Sequence, residues 1–230
     1  MKVEQNMRNM LIGGGALLVV LLIAAGFLNS DMGSSSTTDS AGGTASASPS
    51  TALSVEGPMG DYALGSPDAP VTIYEYASLT CNHCAAFHLQ AFPQLMEKYV
   101  ETGQVRYVIR AFPFDPAATA AVMLARCSGE DRYYKFLDVL FEQQPQWAFT
   151  GNPGENLEAI AKLGGFSGEA YEACIQNADI FDHVRDVQTR GQEIHGVRST
   201  PTFFINGEKV EGALPFEAFE EVLLSHLPES

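Results

Sequence analysis

Cations are scarce in this sequence: its 230 residues hold 13 Lys and Arg against 28 Asp and Glu, a formal net charge of −15. No Lys or Arg cluster exists to neutralise phosphates or an anionic lipid surface, which argues against nucleic acid and against polybasic membrane-surface binding. The short motifs of phosphate and hydrolytic chemistry are missing as well. No G-x-G-x-x-G, P-loop, G-x-S-x-G or H-E-x-x-H pattern occurs, so a nucleotide site, a hydrolase and a zinc protease all lack support. Cysteine is sparse, four in all, and only Cys81 and Cys84 are closely spaced. No second Cys-x-x-Cys and no closely spaced His pair follows to complete a zinc tetrahedron. Ala85 rather than His follows Cys84, which removes c-type haem attachment. Large apolar side chains are almost absent from Ser30 to about Gly57. That Ser-, Thr-, Ala- and Gly-rich stretch cannot offset the entropy of ordering, and it reads as a flexible tether.

What is present is organised around Cys81-Asn82-His83-Cys84. Upstream, Val71-Thr72-Ile73-Tyr74-Glu75-Tyr76 is β-branched and aromatic enough for a strand. Downstream, Phe92, Leu95, Met96, Tyr99 and Val100 recur at helical spacing. The pair therefore sits at a strand-to-helix turn with Cys81 near the helix N-terminus, where unpaired N–H groups and the positive dipole end favour a thiolate. Cys81 is expected to be the exposed, low-pKa nucleophile and Cys84, one turn further in, the buried resolving thiol. Protonated His83 would add positive charge beside the Cys81 thiolate. Stabilising the reduced thiolate makes the disulfide a better oxidant.

From about Gly60 to His226 the chain resembles the DsbA-like thiol:disulfide oxidoreductases of the thioredoxin superfamily. Cys81 and Cys84 match the redox pair, Glu75, six residues before Cys81, matches the buried acid, and Thr200-Pro201 matches the loop whose cis-proline faces the disulfide. The chain departs from DsbA at Asn82, where DsbA has proline, and at Thr200, where DsbA has valine and the related isomerases have threonine. The resemblance implies an α/β thioredoxin-like fold with an inserted all-helical domain. It further implies reduced or unfolded secreted proteins as substrates, a quinone-linked DsbB-like membrane partner for reoxidation, and no cofactor beyond the Cys81–Cys84 disulfide.

Residues 1–29 read as an export signal. Lys2 and Arg8 precede Leu11–Leu28, an uncharged run just long enough to cross a bilayer core. Positive charge before the run orients that end to the cytoplasm and places the cysteines outside, in a periplasmic or extracytoplasmic space. No small-residue cleavage site closes the run, so an uncleaved inner-membrane anchor is expected, with a cleaved signal peptide and a soluble domain as the alternative. Residues 30–57 form the linker and 58–228 the catalytic domain, whose helical insertion covers about 115–195. A strand-helix-strand unit is expected over Val71–Tyr76, Cys84–Val100 with a kink at Pro93, and Gln104–Ala111. Five helices follow, at Pro116–Cys127, Asp131–Phe141, Asn156–Leu163, Gly168–Ile175 and Ala178–His195. Asn206-Gly207 joins two short strands as a tight hairpin, and Pro215 opens a closing helix with Phe216, Phe219, Val222 and Leu223 on its apolar face.

Cys127 and Cys174 both fall in the helical block. Four cysteines in an exported chain point to two bridges, and with Cys81 paired to Cys84 the second is expected to be a structural Cys127–Cys174 bridge, with two separate buried thiols or a second redox couple as the alternatives. Glu75 is the odd residue on its strand: either it faces the surface, or it is a raised-pKa acid beneath Cys84 that moves its proton during exchange. A cis-proline at Thr200-Pro201 would leave the Thr200 backbone free to pair with an extended substrate, reading main chain rather than side chains. His88 is expected as a partly exposed helix residue, and Trp147 and Phe149 as core closure. His183, His195 and His226 have no partners recognisable from sequence. Two rival functions remain. One is a disulfide isomerase or reductase, favoured by Thr200; the other is a metal-binding module of Cys81, Cys84, His83 and His88.

Overall fold

The computed structural model describes residues 52–228, so the apolar run Leu11–Leu28 and most of the linker lie outside the described residues. Among the described residues no helix is long and apolar enough to cross a membrane. Short β1 (Ala63–Leu64) precedes β2 (Val71–Ala77), whose β-branched and aromatic side chains suit a strand buried on both faces. Five strands, completed by β3 (Val105–Ala111), β4 (Thr202–Ile205) and β5 (Glu208–Glu211), make one sheet in the order β1-β3-β2-β4-β5. β2 runs parallel to β3 with Glu75 opposite Ile109, and antiparallel to β4 with Glu75 opposite Phe203. The other pairings, β1 with β3 and β4 with β5, are antiparallel. Asn206 and Gly207 both take positive φ, 46° and 95°, in the β4–β5 turn, as the Asn-Gly dipeptide predicts.

The two-residue period of the strands divides the core. Ile73, Tyr107, Ile109, Phe203 and Ile205 face the larger cluster, which takes in the active-site helix and the helical block. Tyr74, Tyr76, Val108 and Phe204 face a smaller cluster closed by Val187 and Val197. Position 75 shares its face with position 73, so the period aims the Glu75 carboxyl into the larger core.

The stretch Cys84–Val100, expected as one kinked helix, is three pieces: α1 (Asn82–Gln90), α2 (Phe92–Leu95) and a π-helical turn at Met96–Val100. Pro93 lacks an N–H and its ring crowds the preceding turn, so the break falls at Ala91 and the proline sits in the first turn of α2. Between β3 and β4 lie six helices, α3 (Pro116–Cys127), α4 (Glu130–Glu142), α5 (Gln144–Trp147), α6 (Pro153–Leu163), α7 (Gly168–Ile175) and α8 (Ala178–Glu193). Three begin at side-chain caps: Asp115, Ser167 and Asn177 accept from the N–H groups of Ala118, Ala170 and Ile180 at 2.8, 3.1 and 3.1 Å. Cys127 and Cys174, 47 residues apart, are joined by a disulfide that ties α3 to α7, with Cα atoms 6.1 Å apart.

Two expectations for this region fail. The stretch left between the expected helices Asp131–Phe141 and Asn156–Leu163 holds the short α5 and the start of α6. Within it Trp147 is fully buried and donates from Nε1 to the Leu140 carbonyl at 2.8 Å, but Phe149 is 57% exposed and closes no core. The closing helix α9 (Phe216–Leu224) buries Phe216, Phe219 and Leu223.

Candidate active site

Cys81 is the N-cap of α1, in extended conformation, and Cys84 lies one turn inside the helix. A tight turn sets up this start. The Cys81 N–H donates to the Ser78 carbonyl at 3.0 Å, and the Cys81 carbonyl accepts the first helical bond from Ala85 at 3.1 Å. Thr80 donates its hydroxyl to Asp115 at 2.5 Å, so the cap of α3 also holds the approach to Cys81. From α5, the buried Gln144 amide donates to the carbonyls of Leu79 and Cys81 at 2.8 and 3.1 Å. The loop is thus pinned from the helical block on two sides.

Both thiols are free, Cys81 half-buried and Cys84 fully buried. The Cys81 thiol is lowered to about 5 from an ordinary 9.0. A hydrogen bond from the Cys84 thiol is the largest cause; burial opposes it, and a contact with Thr200 and the backbone N–H groups of Cys84 and His83 assist. Cys84 moves the other way. Burial first, then its bond to Cys81 and the negative charge of Glu75, push its thiol well above 9.0. The two sulfurs are chemically unlike, one ready to ionise at neutral pH and the other strongly held as a thiol.

The chain brings Thr200 to this pair across 119 positions: the Cys81 thiol donates to the Thr200 carbonyl at 3.4 Å, and the Thr200–Pro201 peptide is cis. His83 is exposed at the helix start, and its contribution to the Cys81 thiolate comes through its backbone N–H. The imidazole charge expected beside the thiolate is not among the causes that lower Cys81.

Glu75 is fully buried, which removes the surface-facing alternative. Tyr107 donates its hydroxyl to Glu75 Oε2, and that same oxygen lies 3.5 Å from Nε2 of His88. His88 is the plain correction here. Expected as partly exposed, it is 5% exposed, because α1 turns that face toward the sheet and seats the ring between Phe141 and Phe92, with centroids 4.2 and 4.5 Å away. A His88 packed against Glu75 is also unavailable to a metal set with the exposed His83. Among the described residues no group of three or more His, Cys, Asp or Glu side chains converges as metal ligands.

Of the other histidines, His183 accepts from the Met59 N–H at 3.1 Å, and His226 pairs with Glu208 at 3.0 Å. Sequence reasoning missed Gln144 and Tyr107. Nothing in Gln143-Gln144-Pro145 marks a residue that reaches back to the cysteine loop. Tyr107 becomes readable only once the register places it on the Glu75 face, two residues from Ile109.

A dithiol at the N-terminus of a helix, set on a parallel β-α-β unit and facing a cis-proline loop across the sheet, defines a thioredoxin-fold protein of the DsbA type. Comparison with known proteins agrees: residues 59–224 match the family model described as Thioredoxin. The structure of alpha-DsbA1 from Wolbachia pipientis is similar with a TM-score of 0.71 and 32% identity, over 76% of this chain and 94% of that one. A putative protein-disulfide oxidoreductase of Rickettsia typhi is 34% identical over 152 residues, a match that covers 66% of this chain but only 56% of that relative's length. Disulfide bond formation protein D of Bacillus subtilis is 22% identical over 73% of this chain and 78% of its own length. The chain belongs to the thioredoxin family, among its DsbA-like members.

Proposed function

We propose that the domain oxidises the thiols of exported proteins, using the Cys81–Cys84 disulfide as the electron acceptor. A substrate thiolate attacks Sγ of Cys81, the Cys81–Cys84 bond breaks, and a mixed disulfide forms at Cys81. Cys84 leaves as a thiolate and takes up a proton. The substrate's second thiolate then attacks its own sulfur in the mixed disulfide and releases Cys81 as a thiolate. Two electrons have passed from substrate to enzyme. They leave again to an acceptor, for which the family resemblance supplies a quinone-linked, DsbB-like membrane protein.

The observation that carries this reading is the unlike placement of the two thiols, half-buried Cys81 capping α1 beside the Thr200 carbonyl and Cys84 fully buried one turn inside, which lowers the first thiol and raises the second. A thiolate stabilised in the reduced state favours that state, and so makes the disulfide oxidising. The Thr200 backbone beside Cys81 offers main-chain pairing to an extended chain, which suits substrates of varied sequence. The names of the relatives, protein-disulfide oxidoreductase and disulfide bond formation protein, point the same way. The residue limits 1–29, 30–57 and 58–228 for export segment, linker and catalytic domain, and an inner-membrane anchor over Leu11–Leu28 that holds the domain on the extracytoplasmic side, belong to this proposal. The test is oxidation of a reduced, unfolded secreted protein by the disulfide form of the domain. The expected result is substrate disulfides formed with stoichiometric loss of the Cys81–Cys84 bond. Failure to oxidise, with efficient reshuffling of mispaired disulfides instead, would favour the isomerase that Thr200 brings to mind.

A further inference from the structure

We propose that His88 is the proton gate of the site: it carries protons between the buried Glu75 carboxyl and solvent, so that the proton Cys84 gains or loses in each exchange crosses the groove bounded by β1, the α1–α2 junction and α4. The inference rests on thiol–disulfide exchange as the chemistry of the pair.

The need for such a path follows from burial. Cys84 has no exposed surface, and its thiolate is disfavoured by that burial and by the neighbouring charge of Glu75, so a thiolate released there must be protonated at once. Glu75 is the adjacent acid, but it too has no exposed surface and cannot exchange with water directly. Two side chains approach its carboxyl. Tyr107 is one, and its hydroxyl, held in place by burial and by Glu75, is pushed far above the ordinary tyrosine range and releases no proton. His88 is the other, and histidine is the side chain that ordinarily takes and gives protons near neutral pH.

The geometry of His88 fits a relay. Cys84 and His88 stand four residues apart on one face of α1, so both turn toward β2. Nε2 lies 3.5 Å from Glu75 Oε2, and Nδ1 lies 4.0 Å from Oδ1 of Asp138 on α4, whose side chain is 52% exposed. Among the described residues neither ring nitrogen, nor Oε1 of Glu75, has a hydrogen-bond partner, so no protein group competes for the proton. Phe141 and Phe92 hold the ring between the two carboxyls.

His88 forms part of the wall of a groove of about 730 Å³, the port through which protons enter. The charged groups that face it there are Glu101, Glu130, Asp131, Asp138 and Glu142 against Lys135 alone, a surplus of carboxylates that favours uptake of protons from water. Tyr134 also lines the groove, but its hydroxyl is bound to the backbone of Ile109, Tyr62 and Tyr107. The balance is simple. One proton moves inward by a chain of transfers: Nδ1 of His88 accepts a proton from Asp138 or water as Nε2 passes one to the Glu75 carboxyl, Glu75 passes one to the Cys84 sulfur, and both relay groups end in the state in which they began. Reoxidation runs the same path outward.

The test is the rate at which excess dithiothreitol reduces the Cys81–Cys84 disulfide, followed against pH in the intact domain. His88→Ala and the shape-conserving His88→Gln should both slow it by about tenfold or more, as loss of a proton-transfer group does. In His88→Ala, which opens the site toward the groove, imidazole added to the buffer should restore the rate in proportion to its concentration, and it should do nothing for wild type. The pH at which Cys81 is alkylated should stay in place. Rates equal to wild type in both variants would overturn the relay, and so would slow variants that imidazole does not rescue. A wild-type domain that dithiothreitol reduces no faster than a simple disulfide would instead sink the exchange chemistry itself.

Discussion

The asymmetry of Cys81 and Cys84 is set by a few contacts, and each can be removed singly. Alkylation of the reduced domain should modify Cys81 alone, with a rate that titrates around pH 5; preferential modification of Cys84 would reverse the assignment. Because the folded Cys81 thiol lies below its ordinary 9.0, its contribution to stability of the reduced domain is full above that value and is lost as pH falls through about 5. Reduced protein should therefore lose stability relative to a Cys81→Ser variant as pH falls from 9.0 toward 5, a trend that denaturant titrations at several pH values would read. The bond from the Cys84 thiol is the largest stabiliser of the thiolate, so Cys84→Ala should raise the Cys81 titration clearly, as followed by thiolate absorbance. His83→Ala keeps the backbone N–H that assists Cys81, and its effect should be smaller than that of Cys84→Ala; the reverse order would restore the imidazole to the leading role. Here sequence and structure part for a physical reason. The spacing of Cys81, His83 and Cys84 shows that all three share a helix start, but not that the His83 side chain is exposed to solvent while its backbone N–H is what assists Cys81.

The elements that frame the site read unevenly from sequence. Pro116–Cys127 and Gly168–Ile175 are predicted to the residue because Asp115 with Pro116, and Ser167, are unambiguous helix starts. β1, two residues long and paired only to β3, carries no pattern of its own. Gly191 shows how packing overrides propensity. In the last turn of α8 alanine would gain up to about 1 kcal/mol of helix preference, but a Cβ there would sit 2.6 Å from the ring of Tyr76. Overpacking of this kind costs about 1–3 kcal/mol, so Gly191→Ala should destabilise the domain in denaturant unfolding despite the better helix former. The Cys127–Cys174 bridge closes a loop of 47 residues between α3 and α7. In the chain-entropy model that loop is worth roughly 4 kcal/mol. The double variant Cys127→Ala, Cys174→Ala should lower stability by an amount of that order while dithiol exchange at Cys81 continues; an unchanged midpoint would make the bridge dispensable.

At the scale of the molecule, the thioredoxin-like class was legible because a strand, a dithiol at a helix start and Thr200-Pro201 occur in the right order over a long separation. The depth of the site was not legible. That His88 is buried, that Tyr107 binds Glu75 and that Gln144 holds the cysteine loop all depend on elements brought together from distant parts of the chain, and no local pattern encodes those distances. What the whole arrangement produces is one property, a reduced state stabilised by the Cys81 thiolate. The most direct measurement of it is the reduction potential of the Cys81–Cys84 couple, by equilibration with glutathione redox buffers at neutral pH. A thiolate-stabilised reduced state predicts a value above about −180 mV, on the oxidising side of protein disulfide isomerase. A value of about −250 mV or lower, in the range of thioredoxin-like reductants, would contradict it.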